Sequence, residues 1–439
     1  MKKLILAIVL LVSGTLLKAQ NPIVPPGIYI ADPSAHVWND GKLYVYGSCD
    51  TVPYNYCSQK YHVLSTSDLK TWNIHENSFT SVGLNDQVSY SDGYLYAPDA
   101  QYKDGKYYLY YCLSGSDKTE GVAFSSSPSG SFVNGIPIQT GGINEIDPCV
   151  FVDDDGQAYY IWGQFSAKIA KLKPNMTEID SSTIHNNLVT EKEHRFHEGG
   201  YMVKRDGIYY FVYCGLSLSG YASCISYSTS KSPWGPFKYG GIIINNDHCD
   251  PQNWNNHGSL VEFKGQWYVF YHRATHGCKT MRKACLEPIF FNEDGSIDEV
   301  EMTTQGASEP LDAHLQMDAA RACILQGNVR IELIDSGQEA LTEIRNGDVA
   351  IYKYLNFAED IKSVTFRILP GLKKGSIKVN IGSLFKKESA IVPVPGDGDG
   401  KTWITVTVPI SEVSGVNPVW LTFSTRGEKS YKVDWFEFE

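Results

Sequence analysis

The 439-residue chain carries 38 Lys and Arg against 49 Asp and Glu, a formal charge of −11. That balance argues against nucleic acid or an anionic membrane surface as its main partner. The length suits two domains, and the 28 Tyr and 18 Phe suit a strand-rich core, although such rings also stack on sugars.

The first 19 residues read as a secretory leader: MKK is a positive start, LILAIVLLVSGTLL an apolar run, and Leu17-Lys18-Ala19 ends on a small residue. Cleavage is expected after Ala19, giving an exported protein, periplasmic or secreted. No later stretch is long and apolar enough to span a membrane.

One phrase then recurs five times, a glycine turn followed by aromatic and β-branched residues. It reads NDGKLYVYG at 39–47, KDGKYYLYY at 103–111, DDGQAYYIWG at 154–163, RDGIYYFVY at 205–213 and FKGQWYVFY at 263–271. Its glycines, Gly41, Gly105, Gly156, Gly207 and Gly265, are spaced by 64, 51, 51 and 58 positions. Hairpin plus strand at this period predicts a β-propeller with one blade per copy, hence five blades.

The residues ahead of each turn carry the chemistry. Asp32, Asp147 and Glu198 each lie 8 positions before the acidic residue of their turn, His257 lies 7 before Lys264, and Asp99 lies 5 before Asp104. The innermost strand of every blade lines the axis, so groups in phase converge on one cavity. A single acid of this kind more often holds a turn. Three in register point to function, because clustered carboxylates are costly unless they are used. Without a Ser-His-Asp set in phase with the blades, they suit acid/base work such as glycosidic hydrolysis. That reaction needs one carboxylic acid for the leaving oxygen and one carboxylate for water or direct attack. Spacing alone does not say which residue does which.

The ten cysteines contain no CxxC pair and make no metal pattern. Cys49 and Cys57, Cys214 and Cys224, and Cys278 and Cys285 are near enough in sequence to close small loops, whereas Cys112 and Cys149 read as buried thiols. The run Asp153-Asp154-Asp155 reads as a solvated turn, and His36 and His197 as structural neighbours of the carboxylates.

The repeat ends after 271. EMTTQGASEPLD at 301–312 is polar and reads as a linker. Beyond it, KSVTFRIL at 362–369, GSIKVNIGS at 375–383, KTWITVTVPI at 401–410, VWLTFST at 419–425 and the terminal YKVDWFEFE read as strands. The expected organisation is all-β: a five-bladed β-propeller over 20–305, a linker over 306–314 and a β-sandwich of jelly-roll type over 315–439.

ADPSAHVWNDGKLYVYGS at 31–48, EIDPCVFVDDDGQAYYIWG at 145–163 and HEGGYMVKRDGIYYFVY at 197–213 resemble the three signature blocks of glycoside hydrolase family 43. The family consists of five-bladed propellers that invert anomeric configuration. The resemblance implies that Asp32 is the general base, that Asp147 orients the general acid and tunes its pKa, and that Glu198 is that acid. It further implies that His257 is an axial histidine beside a calcium or other ion. Arg273, Asp99 and Tyr96, which stands where the family often has Trp, are implied to face substrate. The C-terminal segment resembles carbohydrate-binding module family 6, but Glu343 and Arg345, and the run GDGDGK, occupy places where sugar-binding members tend to carry rings. The domain is therefore expected to buttress the propeller or to bind by another face.

The expected activity is exo-acting hydrolysis of terminal α-L-arabinofuranosyl residues from plant oligo- or polysaccharide. A β-D-xylosidase or β-galactosidase of the same fold, or a non-catalytic glycan-binding propeller, stands as the alternative.

Overall fold

A computed structural model describes residues 20–115, 120–140, 146–249, 253–358, 361–427 and 431–439. The leader at 1–19 lies outside them.

Five antiparallel sheets follow in chain order. The first blade has strands Ile30–Val37, Leu43–Cys49, Lys60–Thr66 and Asn73–Thr80. The second has Leu95–Lys103, Lys106–Leu113, Glu120–Ser125 and Val133–Pro137. The third has three strands, Cys149–Val152, Ala158–Trp162 and Lys168–Lys171. The fourth runs Phe196–Arg205, Ile208–Gly215, Cys224–Ser230 and Lys238–Asn245, and the fifth Ser259–Phe263, Gln266–Ala274 and Arg282–Ile289. Each strand pairs with the next, as a meander must. In three of the repeat turns both central residues have positive φ: Asp104 and Gly105 (50° and 81°), Asp206 and Gly207 (51° and 72°), and Lys264 and Gly265 (53° and 82°). Two such residues in sequence match the right-handed twist of the flanking strands.

The start of the chain closes the ring. Ile23 N donates to Ala284 O at 3.0 Å, along the outer strand of the fifth blade. The fully buried Asn21 side chain brackets Leu286, donating to its carbonyl and accepting from its N–H, both at 2.9 Å. Asn21 Nδ2 also reaches Glu287 Oε1 at 2.9 Å.

The C-terminal domain is a sandwich of two six-stranded sheets. Tyr352, Leu421, Phe366 and Phe436 are fully buried between them. Leu311–Asp312 already pairs in parallel with Leu355 and Asn356, so the sandwich begins inside the stretch read as linker. The domain is docked on the propeller by buried polar contacts. Ile331 N donates to Thr275 O at 2.8 Å, and Lys283 Nζ pairs with Glu339 Oε2 at 2.7 Å. No disulfide joins any of the ten cysteines, so none of the short-loop pairs is bonded, and Cys112 and Cys149 are buried as expected.

Candidate active site

The innermost strands deliver their side chains through irregular backbone. The first blade's ladder shifts register between Ala31 and Ser34, the second's between Tyr96 and Asp99, and the fourth's on both sides of Glu198. Asp32 and Asp147 adopt left-handed backbone at φ 54° and 59°. Bulges of this kind re-aim a side chain, and strain at such positions is borne where a site needs it. The result is a pocket of about 210 Å³ lined by Asp32, Tyr96, Asp147, Glu198 and His257, with Tyr56, Cys57, Gln164, Asn255 and Arg282 among the other walls. Five of the seven residues singled out from sequence therefore meet in one cavity.

The three carboxylates sit in different surroundings. Asp32 Oδ1 accepts from Arg282 Nη1 at 2.8 Å, and Oδ2 accepts from Ser48 Oγ at 2.6 Å. Burial alone would push the Asp32 carboxyl up, but the Arg282 guanidinium, helped by His272, His257 and Ser48, holds it below the usual carboxylate range. His272 Nδ1 accepts from Asp32 N at 3.2 Å while Nε2 donates to Trp254 O at 3.2 Å, which fixes one neutral tautomer. Burial and the nearby Arg282 charge press its pKa down to about 4, in keeping with that neutrality.

Glu198 Oε2 accepts from Gln164 Nε2 at 2.6 Å and Oε1 from Asn255 Nδ2. Burial lifts its pKa above the ordinary value against the pull of His197 and Gln164, and the Asp32 charge adds to the rise. Asp147 is pushed well above the carboxylate range by burial first, then by Glu198 and Asp32. The site thus holds one carboxyl biased toward ionisation and two biased toward protonation. That division suits paired base and acid chemistry.

His257 Nδ1 lies 4.0 Å from Asp147 Oδ2. Gly199, at φ 65°, lets the imidazole approach, because a Cβ there would fall 2.6 Å from His257 Cγ. Among the described residues no group of three or more His, Cys, Asp and Glu side chains is arranged to hold a metal. Calcium takes 6–8 oxygen ligands, and the side chains around His257 do not supply such a cage.

Two expectations are corrected. Asp99 does not face the pocket. It is 1% exposed and accepts from Ser34 Oγ at 2.6 Å and from Val150 N at 2.7 Å, with His36 Nε2 at 2.7 Å. Its spacing already differed: in the Ala97-Pro98-Asp99 stretch, Ala97 is the pocket-lining counterpart of Asp32, and Asp99 is the counterpart of Ser34, one layer below. Arg273 does not face substrate either. It is 4% exposed, and Nη1 donates to the carbonyls of Ala322, at 3.0 Å, and Cys323, tying the fifth blade to the sandwich. The arginine in the pocket is Arg282, from the third strand of that blade. Blade phase could not find it, because phase reads only the innermost strands. Gln164, Tyr56 and Cys57 were missed for the same reason, since they lie on connections beyond the second strands.

Residues 321–439 match the family model for carbohydrate binding module (family 6). A cavity of about 200 Å³ in this domain is lined by Glu343, Gly400 and Tyr431, but the Tyr431 ring is only 3% exposed and offers no stacking face. Across both domains, the chain is 29% identical to a xylosidase/arabinosidase of Thermoclostridium stercorarium over 85% of its own length and 93% of that protein. It is 27% identical to an arabinoxylan arabinofuranohydrolase of Bacillus subtilis (strain 168) over 95% of this chain and 92% of that one. A crystal structure of a glycoside hydrolase family 43 arabinoxylan arabinofuranohydrolase from Bacillus subtilis, with cellotetraose, shares the fold over 95% of this chain and 97% of that chain, at 24% identity and a TM-score of 0.54. Residues 19–297, the whole propeller with its carboxylate pocket, match the model for glycosyl hydrolases family 43, and to that family of inverting glycoside hydrolases this chain belongs.

Proposed function

We propose that the protein removes terminal α-L-arabinofuranosyl residues from the side chains of plant polysaccharides. The observation that carries this reading is the two-domain likeness: the relatives that align with both propeller and sandwich are named for arabinosidase or arabinofuranohydrolase activity. Exo action is supported by the pocket of about 210 Å³, which suits one sugar unit rather than a run of them. A β-D-xylosidase is the second reading, favoured by the double name of the Thermoclostridium relative.

In the proposed mechanism Asp32, kept ionised by Arg282 and Ser48, takes a proton from a water molecule. The water oxygen forms its bond to the anomeric carbon on the face opposite the leaving group. Glu198, which burial biases toward the protonated form, gives its proton to the glycosidic oxygen as the carbon–oxygen bond breaks. Asp147, whose own carboxyl is raised by burial and by the Glu198 and Asp32 charges, stands in the same pocket and orients the acid. An ion beside His257 is a separate proposal. It would have the His257 imidazole among its ligands, and no step above passes through it; absence of bound metal in elemental analysis of the purified protein would remove it.

The test is release of p-nitrophenol from α-L-arabinofuranoside, β-D-xyloside and β-D-galactoside, with the anomer of the first-formed sugar followed by NMR. Turnover of the arabinofuranoside with inversion is expected. Turnover of the xyloside alone would replace this reading with the second. Export is proposed with it: cleavage after Ala19 would leave one residue ahead of the buried Asn21, and the mass of the mature protein tests it.

A further inference from the structure

A second cavity, of about 340 Å³, lies on the seam between the two domains. The propeller contributes Tyr221, Asp247, Trp254 and Lys279, and the sandwich contributes Leu325, Gln326 and Gly327. It adjoins the general-acid side of the active pocket. Trp254 lines this cavity, and its neighbour Asn255 lines the active pocket and donates to Glu198. His197, the residue before Glu198, meets the Trp254 ring edge-on at 5.9 Å between centroids.

The chemistry of the walls suits a neutral glycan. Tyr221 is 54% exposed and stands edge-on to Trp254 at 5.8 Å, leaving ring surface free for stacking. Lys279 Nζ sits 4.3 Å over the Trp254 ring, and Asp247 lies 3.6 Å from His248. One cation and one anion, each with a neighbour, favour neither a cationic nor an anionic ligand. Position supplies the rest. A general acid protonates the oxygen of the leaving group, so whatever the cleaved sugar was attached to must depart past Glu198.

We infer that this interdomain cavity is the aglycone subsite, which holds the polysaccharide main chain from which the side-chain sugar is cut, with Tyr221 as its platform and Gln326 of the sandwich as its far wall. This rests on the side-chain-cleaving reading above. It gives the C-terminal domain a direct part in substrate choice, in place of or beside any separate binding face.

Two variants outside the acid/base machinery test it. Tyr221→Ala removes the platform, and Gln326→Trp fills the cavity from the sandwich side. Both should lower kcat/KM on p-nitrophenyl α-L-arabinofuranoside far less than on oligosaccharides, because a single aryl ring fills only part of the cavity, and an unshifted unfolding midpoint reports intact folding. Both should raise KM about tenfold or more on arabinofuranosyl-substituted xylo-oligosaccharides, a loss of stacking and space felt most by a substrate with a main chain. Unchanged KM on the oligosaccharides in both variants overturns the assignment, as does an equal loss on both substrates. If the wild type turns over no arabinofuranoside, the functional reading itself has failed. Calorimetric titration of Glu198→Gln protein with linear xylo-oligosaccharides then decides: binding weakened by Tyr221→Ala supports a main-chain site, and no binding overturns it.

Discussion

Arg282 Nη1 lies 2.8 Å from Asp32 Oδ1, while Nε of the same guanidinium lies 2.9 Å from Asp50 Oδ2 and Nη2 3.0 Å from Asp50 Oδ1. One fork is thus spent on holding the arginine and one nitrogen on holding the base. Arg282→Lys keeps a positive charge but cannot bridge both carboxylates in this geometry. A fall in kcat/KM of about 10²-fold is expected. The pH profile is the sharper readout. Asp32 must be ionised to work, its pKa is depressed, and activity is lost as pH falls through that pKa. Weakening its partner raises the pKa, so the acidic limb should move to higher pH. A profile that drops in height without moving would count against the role given to Arg282.

Glu198 sets the other limb, with Asp147 beside it in the pocket. Both are raised above the ordinary carboxylate value, about 4, by burial first and then by neighbouring charge. A protonated acid is needed, so activity is lost as pH rises through the acid's pKa. The charge that raises Glu198 is that of Asp32, and Asp147 is itself biased toward protonation, so Asp147→Asn should lower kcat about 10²-fold while leaving the position of the basic limb nearly unchanged. Glu198→Gln should cost more on oligosaccharides than on p-nitrophenyl glycosides, because p-nitrophenolate leaves with little help from an acid. Equal losses on the two substrate types would argue that Glu198 is not the proton donor.

The repeat made the fold and the core of the site readable. Five glycine turns at blade spacing gave five sheets; a shared phase brought Asp32, Asp147 and Glu198 to one pocket, and His257, one position out of that phase, joins them. The two misplaced residues show where phase ends. Asp99 lies two positions later in its strand than the lining residue Ala97, and in a strand successive positions at that step share a face but not a depth along the axis. Arg273 and Arg282 are both arginines of the fifth blade, and only the strand pairing, with Arg273 opposite Lys283 and Ala274 opposite Arg282, shows which one turns toward the axis. Side chains from second and third strands, and the seam between domains, depend on contacts hundreds of residues apart, which no local spacing encodes.

The ring closure carries a pH dependence of its own. Glu287 Oε1 accepts from Asn21 Nδ2 at 2.9 Å, Tyr271 Oη at 3.1 Å and Thr303 N at 2.6 Å. Burial nonetheless pushes its pKa up to about 8, against those bonds. The folded value exceeds the unfolded one, about 4.3. The stabilisation is therefore complete below the unfolded value and is lost as pH rises toward about 8, at up to about 1.4 kcal/mol per pH unit. Glu287→Gln mimics the protonated form. Denaturant unfolding should show the wild type weakening across this window more than the variant does. Parallel pH dependence in the two proteins would remove Glu287 as the cause.

Gly199 and His257 make a last, two-sided case. A Cβ on residue 199 would stand 2.6 Å from both Cγ and Nδ1 of His257, and the glycine's φ of 65° is itself unfavourable to other residues. The backbone term, about 1 kcal/mol or more, belongs to Gly199 alone. The collision belongs to the pair. Gly199→Ala should therefore displace the imidazole from its place 4.0 Å from Asp147, lowering kcat/KM at least about tenfold and costing about 2–3 kcal/mol of stability. In a His257→Ala background the same change should cost only the backbone term, since the ring it would strike is gone. The double-mutant cycle isolates that difference. Additive effects on stability would mean that the glycine is required for its backbone alone, and that the close approach of His257 to the acid pair does not depend on it.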